Sequence, residues 1–269
     1  MTSAPPNHFL LTPFFLDQPD PSLSRLQGPG WSVNAPTIPN GNQMARLAVL
    51  HRQLAGLVAA SVGRGARPVS VAGDCCTTIG VLTGLQRAGL VPVLVWLDAH
   101  GDFNTHETTI SGFLGGMPLA MITGRGDPAM GRSVGLYPLA DGDVFLSDAR
   151  DLDPRERQLL ESSGVHHLRD PSDIPGALPA GRPIYVHLDL DILDPSDAPA
   201  MRYSVPGGPP LESLVALGER LRATGRLAAV SVTTWDLAAD RDRQTEGSCL
   251  SVLDGLIRGS GDQGIRTRA

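Results

Sequence analysis

The stretch Val93-Leu94-Val95-Trp96-Leu97-Asp98-Ala99-His100-Gly101-Asp102 decides how the chain is read. Five apolar residues in unbroken succession leave no polar face, which marks a strand covered on both sides rather than one side of a solvated sheet. Similar apolar runs occupy 8–15, 68–72, 143–146, 184–190 and 227–233, and the strand around Trp96 extends over 91–97. Between them lie helix-length segments with apolar residues at helical spacing, at 43–62, 77–88, 117–122, 154–163, 210–223 and 247–257. Strand and helix in alternation predict βαβ units in a three-layer α/β/α fold, with a doubly wound, mostly parallel sheet. In such sheets ligands bind beyond the carboxyl ends of the strands.

The chain has 269 residues, of which 41% are hydrophobic, and no linker-like stretch interrupts it. A single domain over 1–269 is expected. Its net charge of -6 argues against nucleic acid or an anionic membrane as the main partner, because both require a basic patch. A small molecule is the expected partner. The first residues show no basic segment followed by an apolar one, and no apolar run approaches the ~20 residues that cross a bilayer, so a cytoplasmic protein is expected. Cys75, Cys76 and Cys249 are three, a poor disulfide framework for a chain of this length, and reduced thiols are expected.

The chemistry gathers at two strand ends. Asp98, His100 and Asp102 alternate after one apolar run, and Asp189 and Asp191 alternate after another. If strand geometry continues through them, a period of two aims each set at one side. A lone Asp after a strand is ordinarily a helix cap, but one helix needs only one cap. Four carboxylates in one crevice repel each other unless a cation neutralises them. Oxygens with one imidazole suit a hard ion such as Mn²⁺, and shared carboxylates suit a pair of ions.

Four motifs in order, Gly73-Asp74, Asp98-Ala99-His100-Gly101-Asp102-Phe103-Asn104, Ser111-Gly112 and Asp189-Leu190-Asp191-Ile192-Leu193-Asp194-Pro195, resemble the signatures of the arginase/agmatinase (ureohydrolase) family. The resemblance spans roughly 69–234 and implies an arginase-like fold with two manganese ions per chain. It implies that Asp98 and Asp189 bridge the ions, that Asp102 completes one ion's set, and that His100 and Asp191 complete the other's. The remaining family ligand is a His, and Cys75 stands at its position. A dication beside a thiol lowers its pKa enough to ionise it, although sulfur is soft for manganese. Cys76, at a family Ser, is expected to pack. A hydroxide shared by two dications is a nucleophile near neutral pH, and Asp102 is the expected catalytic residue that holds it and takes its proton.

Two further positions depart from the arginases. Gly115 stands where a proton-shuttling His is found, and Thr234 aligns with the Glu that pairs the guanidinium, although a slip of two residues would bring Asp236 to the same face. A pocket without that carboxylate has less reason to prefer a guanidinium that is cationic at any accessible pH. An N-hydroxyguanidine is less basic and more electrophilic, and so needs less counter-charge and less acid. The combination resembles the branch of the family that cleaves hydroxyarginine in D-cycloserine biosynthesis, which implies release of hydroxyurea and ornithine. Asn104, Thr109 and Ser111 match groups that hold an α-carboxylate, and Asp153 and Glu156 match groups that hold an α-amino group. For the last two, complementing the first turn of a helix at Pro154 is a competing role. Phe113 departs from a family Asn. His106 and His187 are expected to be a loop histidine and a core or supporting histidine, and His166 and His167 to lie at the exposed end of a turn leading into a strand. Plain arginase activity, hydrolysis of another guanidino acid, and a non-catalytic protein binding an arginine-like ligand are the alternatives. With no long apolar extension after Arg258, a monomer is plausible.

Overall fold

In the computed structural model, which describes residues 4–258, eight strands form one sheet. The stretch after Arg258 lies outside the described residues. The strands are β1 (Asn7–Thr12), β2 (Ser32–Val33), β3 (Arg67–Ala72), β4 (Val93–His100), β5 (Val144–Asp151), β6 (His166–Leu168), β7 (Ile184–Asp189) and β8 (Leu227–Thr233). Their order is β2-β1-β3-β8-β7-β4-β5-β6, and every neighbouring pair is parallel. The helices are α1 (Gln43–Gly63), α2 (Thr77–Arg87), α3 (Pro118–Ile122), α4 (Ala129–Val134), α5 (Pro154–Glu161), α6 (Ile174–Ala177), α7 (Leu211–Ala223) and α8 (Gln244–Ile257).

Strand β4 shows why its run is apolar throughout. Leu94 and Trp96 enter a core with residues of α1, α2 and α5, whereas Val93, Val95 and Leu97 enter a second core with residues of α7 and α8. Alternate side chains thus serve two layers, and neither face meets water. After β3 the chain skips two strand positions to β4, and β7 and β8 later fill the gap. The carboxyl ends of β3, β8, β7 and β4 therefore line up at the point where the winding reverses, where α/β sheets leave a crevice.

The expected strand over 8–15 is two pieces. It breaks at Pro13, which cannot donate to a ladder, and Phe14–Phe15 turns away to pair antiparallel with Gln18–Pro19. Leu16 at the tip of this hairpin donates its N–H to Asp74 Oδ2 (2.7 Å), which ties the hairpin to the end of β3. His166 and His167 belong to the edge strand β6, not to a turn. Strand β2 and helices α4 and α6 also went unforeseen, because two to six residues carry no measurable periodicity.

Helices α1 and α2 approach so closely that a Cβ on Gly84 would lie 2.5 Å from the Val58 Cβ and 2.7 Å from the Ala55 carbonyl oxygen. Gly84→Ala is expected to lower stability by about 1–3 kcal/mol through overpacking, despite alanine's better helix propensity. A urea titration that gave an unchanged or higher midpoint would refute this contact.

Candidate active site

The crevice at the switch point is lined by Phe15, Asp74, Cys75, His100, Asp102, Asn104, Ser111, Phe113, Gly115, Gly116, Asp151, Asp153, Glu156, Asp189, Asp191, Tyr203 and Thr234. Each strand of the central four delivers something to it. Cys75 follows β3, Asp98 and His100 end β4, Asp189 ends β7, and Thr233 ends β8 with Thr234 next after it.

Alternation along a strand explains only part of this placement. β4 stops at His100, and Asp102 beyond it is itself in the left-handed region (φ 48°). β7 stops at Asp189, and Asp191 is carried round by the 3-10 turn Leu190–Ile192, in which the Asp191 N–H donates to Asp189 Oδ1 (2.9 Å). The expected continuous pleat through both acid sets is therefore absent. The acids still meet, because each turn folds back over its own strand end. Asp98 Oδ1 accepts the His100 N–H (2.7 Å), His100 Nδ1 lies 3.0 Å from Asp191 Oδ2, and Asp191 Oδ1 accepts the Ala99 N–H (3.2 Å).

Two sets of donors converge. One is Asp98, His100 and Asp191, and the other is Cys75, Asp98, His187 and Asp189, with the donor atoms of each set within 4.8 Å of one another. Asp98 belongs to both. The Cys75 thiol donates to Asp189 Oδ2 (2.7 Å) and lies 3.3 Å from Thr233 Oγ1. Asp102 is buried beside them with its Oδ2 unpartnered.

The electrostatics are those of an uncompensated acid cluster. Burial, then the charges of Asp98 and Asp189, push the Asp102 carboxyl far above the usual range, and burial with Asp189 and Asp98 does the same to Asp191. Burial raises Asp189 and Asp74 to about 6. Burial also raises the Cys75 thiol, helped by Asp189, Asp102 and Asp98. Among the described residues His100 is the one cationic group lining the crevice, and the Asp191 and Asp98 carboxylates overcome its partial burial and push it up to about 12. Buried oxygens, an unpartnered Asp102 Oδ2 and two sets of donors sharing a carboxylate fit a pair of divalent cations, which would supply the missing positive charge.

The residues expected at the amino-acid end divide. Asn104 lines the crevice, with its Nδ2 donating to Asp153 Oδ2 (3.2 Å) and its Oδ1 accepting from the Thr108 hydroxyl (2.9 Å). Ser111 lines it and is exposed. Thr109 does not line it, and its Oγ1 accepts the Gly112 N–H (3.1 Å) within the loop. Glu156 reaches the crevice wall, but its two oxygens accept the N–H groups of Phe103 (2.8 Å) and Asp153 (3.1 Å), closing a capping box at the start of α5. Burial raises its carboxyl to about 7. Asp153 is the other half of that box, and it lines the crevice with its Oδ2 accepting from Asn104 and from the Ile110 N–H (3.4 Å).

Thr234, not Asp236, faces the crevice. Asp236 turns away and accepts the N–H groups of Ala238 and Ala239. Thr234 sits at φ 65°, a costly conformation for a β-branched residue, and its hydroxyl donates to Asp189 Oδ1 and lies 2.8 Å from the Thr233 carbonyl. At Gly115 the missing side chain is accounted for. A Cβ there would lie 2.3 Å from the Phe113 ring, which fills the space. Phe113 also stacks near Phe15 (6.3 Å) and meets Tyr203 at a tilt of 46° (5.6 Å), giving the mouth an aromatic wall. Tyr203 and Phe15 carried no sequence signal, since neither lies in a motif. His106 is exposed and does not line the crevice. Cys76 is buried, with its N–H on Asp74 Oδ1 (2.9 Å).

Residues 31–256 match the model of the Arginase family. Among curated relatives, the N(omega)-hydroxy-L-arginine amidinohydrolase of Streptomyces lavendulae is 33% identical over 194 residues, covering 69% of this chain and 66% of that protein. The arginase of Bacillus caldovelox is 34% identical over 184 residues, 60% of this chain and 58% of the relative. The matches thus span somewhat under two thirds of those relatives. A crystal structure of arginase from Bacillus subtilis superposes with a TM-score of 0.79 at 26% identity, covering 94% of this chain and 99% of that one.

Proposed function

The chain belongs to the arginase family, and from that premise we propose that it is a metal-dependent amidinohydrolase whose substrate is Nω-hydroxy-L-arginine, cleaved to hydroxyurea and L-ornithine. The observation that carries the substrate is the ring of Phe113 in the space above Gly115. It leaves no room for an imidazole beside the departing nitrogen, so the substrate must need less acid than a guanidinium does. Thr234 at the end of β8 supports the same reading, because a hydroxyl in place of a carboxylate suits a guanidine that is neutral. The name of the 33%-identical Streptomyces relative agrees with it.

Asp98, Asp189, Cys75, Asp102, His100 and Asp191 would hold two divalent cations, Mn²⁺ by the family resemblance. When bound, such a pair supplies Lewis-acid activation of water near neutral pH. The rest of the chemistry belongs to the chain. Asp102, with a free Oδ2, takes the proton of the attacking water and delivers it to the amine that leaves as ornithine. Water adds its oxygen to the guanidine carbon, the bond from that carbon to the ornithine nitrogen breaks, and hydroxyurea retains the hydroxylated nitrogen. Asn104 and Ser111 orient the α-carboxylate, and Asp153 receives the α-amino group. The aromatic wall of Phe15, Phe113 and Tyr203 excludes water from the mouth. A single catalytic domain, and a place in an antibiotic pathway that consumes hydroxyurea, are parts of the same proposal.

The test is ornithine release from L-arginine and from Nω-hydroxy-L-arginine, measured side by side on the Mn²⁺-loaded protein. Preference for the hydroxylated substrate is expected. Preference for L-arginine would leave Gly115 and Thr234 without the meaning given to them, and inactivity on both with about one ion bound would favour a non-catalytic ligand-binding protein.

A second substitution probes the wall itself. Exchanging Phe113→Asn together with Gly115→His is expected to open the space and to raise arginine turnover relative to hydroxyarginine by about 10²-fold or more, the usual contribution of a positioned acid. A ratio of kcat/KM for the two substrates that does not move would show that the vacancy at position 115 has no part in specificity.

A further inference from the structure

His187 lies one pleat back from Asp189 on β7, fully buried, and is the only histidine besides His100 in the two converging donor sets among the described residues. Its two ring nitrogens are in different situations. Nδ1 is 3.0 Å from the Thr78 hydroxyl and 2.9 Å from the Ser231 hydroxyl, whereas Nε2 is buried without a hydrogen-bond partner. Either hydroxyl can accept a proton from Nδ1, and in that tautomer Nε2 keeps its lone pair. The ring also packs at 4.0 Å against Trp96, whose indole N–H donates to Asp98 Oδ2 (2.9 Å), so a single side chain braces both the imidazole and the carboxylate.

A buried acceptor without a partner is destabilising and calls for an explanation. His51 in α1 is likewise buried and unpartnered, but it belongs to neither donor set. His187 differs in what surrounds it, a thiol and two carboxylates. Building on the dimetal reading above, we propose that His187 Nε2 is a ligand of the ion held by Cys75, Asp98 and Asp189, giving that position one sulfur, one nitrogen and carboxylate oxygens. The imidazole that the motif lost at Cys75 is thus returned from β7, which lies two strands away across β8. The two ion positions are then unequal. The one with Cys75 and His187 selects zinc, cobalt(II) or ferrous iron over manganese, and the one with Asp98, His100 and Asp191 keeps the harder preference.

The full-length protein, labelled with nitrogen-15 histidine and loaded with cadmium-113, tests this directly. Scalar coupling between cadmium and imidazole nitrogen is expected at two histidines, and His187→Gln is expected to remove one coupling and keep the other. The same variant is expected to lower Co²⁺ affinity at the thiolate position by about 10- to 100-fold, read from the thiolate-to-cobalt charge-transfer band. Coupling at one histidine only, or two couplings that both survive in His187→Gln, would overturn the assignment while leaving a metal centre in place. Should the variant not fold, the number of couplings in the parent protein decides alone. A parent protein that binds neither cadmium nor cobalt would overturn the dimetal reading together with this one.

Discussion

Asp189→Asn is expected to abolish the shared metal centre and to cost about 10²–10⁴-fold in turnover, while leaving the metal-free protein at least as stable as before at pH about 8. Both halves come from one carboxylate. Asp189 Oδ1 accepts from the Thr234 hydroxyl and the Asp191 N–H, and Oδ2 accepts from the Cys75 thiol, so the group touches three elements of the crevice. Removing one member of a buried, compensated charge set costs about 3–5 kcal/mol, which corresponds to that loss of rate. Without metal the balance reverses. Burial raises the Asp189 carboxyl to about 6, so the folded chain pays to ionise it at pH 8, and a neutral Asn of the same shape removes the cost. Metal content by elemental analysis and a urea titration in chelator check the two halves. A variant that retained two ions per chain would sink the assignment of Asp189 as a metal ligand.

The metal-free protein is expected to melt at a higher temperature near pH 5.5 than near pH 8, the reverse of what excess Mn²⁺ should produce. Five buried carboxyls have raised proton affinity: Asp74 and Asp189 to about 6, Glu156 to about 7, and Asp102 and Asp191 well above the ordinary range. Between about pH 4 and their folded values, the folded chain keeps protons that the unfolded chain has released. Their stabilising contribution is complete below about pH 4; that of Asp74, Asp189 and Glu156 is lost as pH rises through about 6 to 7, and that of Asp102 and Asp191 as pH rises through their own raised values. His100, raised to about 12, acts in the same sense above about pH 6.5, where only the folded state still holds the proton. Opposing them, burial lowers His51 and His187 to about 4, so each costs stability as pH falls from about 6.5. Five acids outweigh two bases over the upper part of that window, and each tenfold difference in proton affinity is worth about 1.4 kcal/mol. Divalent ions bind only the deprotonated ligands and stabilise by mass action, so their effect grows with pH. Melting curves with chelator and with Mn²⁺ at both pH values decide it. A metal-free protein more stable at pH 8 would mean that the acids are not held neutral in the apo state.

Strand and helix positions were legible because both cores are built from long periodic segments, and β8 at Leu227–Thr233 matches the expected span. The ends of the elements were less so. Pro13 broke a strand whose apolar run continues through it, and β6 has only three residues. At the site, residue identities were written in the motifs, but the roles of Thr109 and Glu156 depended on which backbone N–H groups their side chains could reach. Those donors belong to loops whose course no local pattern specifies.

By itself the sequence determined the layered fold and the family, because apolar periodicity and the order of four acidic motifs are local properties that survive without coordinates. It also named the acids that meet at the crevice. The tertiary structure alone decided how they meet. Asp102 and Asp191 arrive by turns rather than by the pleat, Thr234 faces inward at a strained φ, and Phe113 fills the space over Gly115. Only the sheet order, which brings β7 between β8 and β4, sets His187 among Cys75, Asp98 and Asp189. Residues 114 positions apart in the chain become hydrogen-bond partners there, and that is a property of packing, not of spacing.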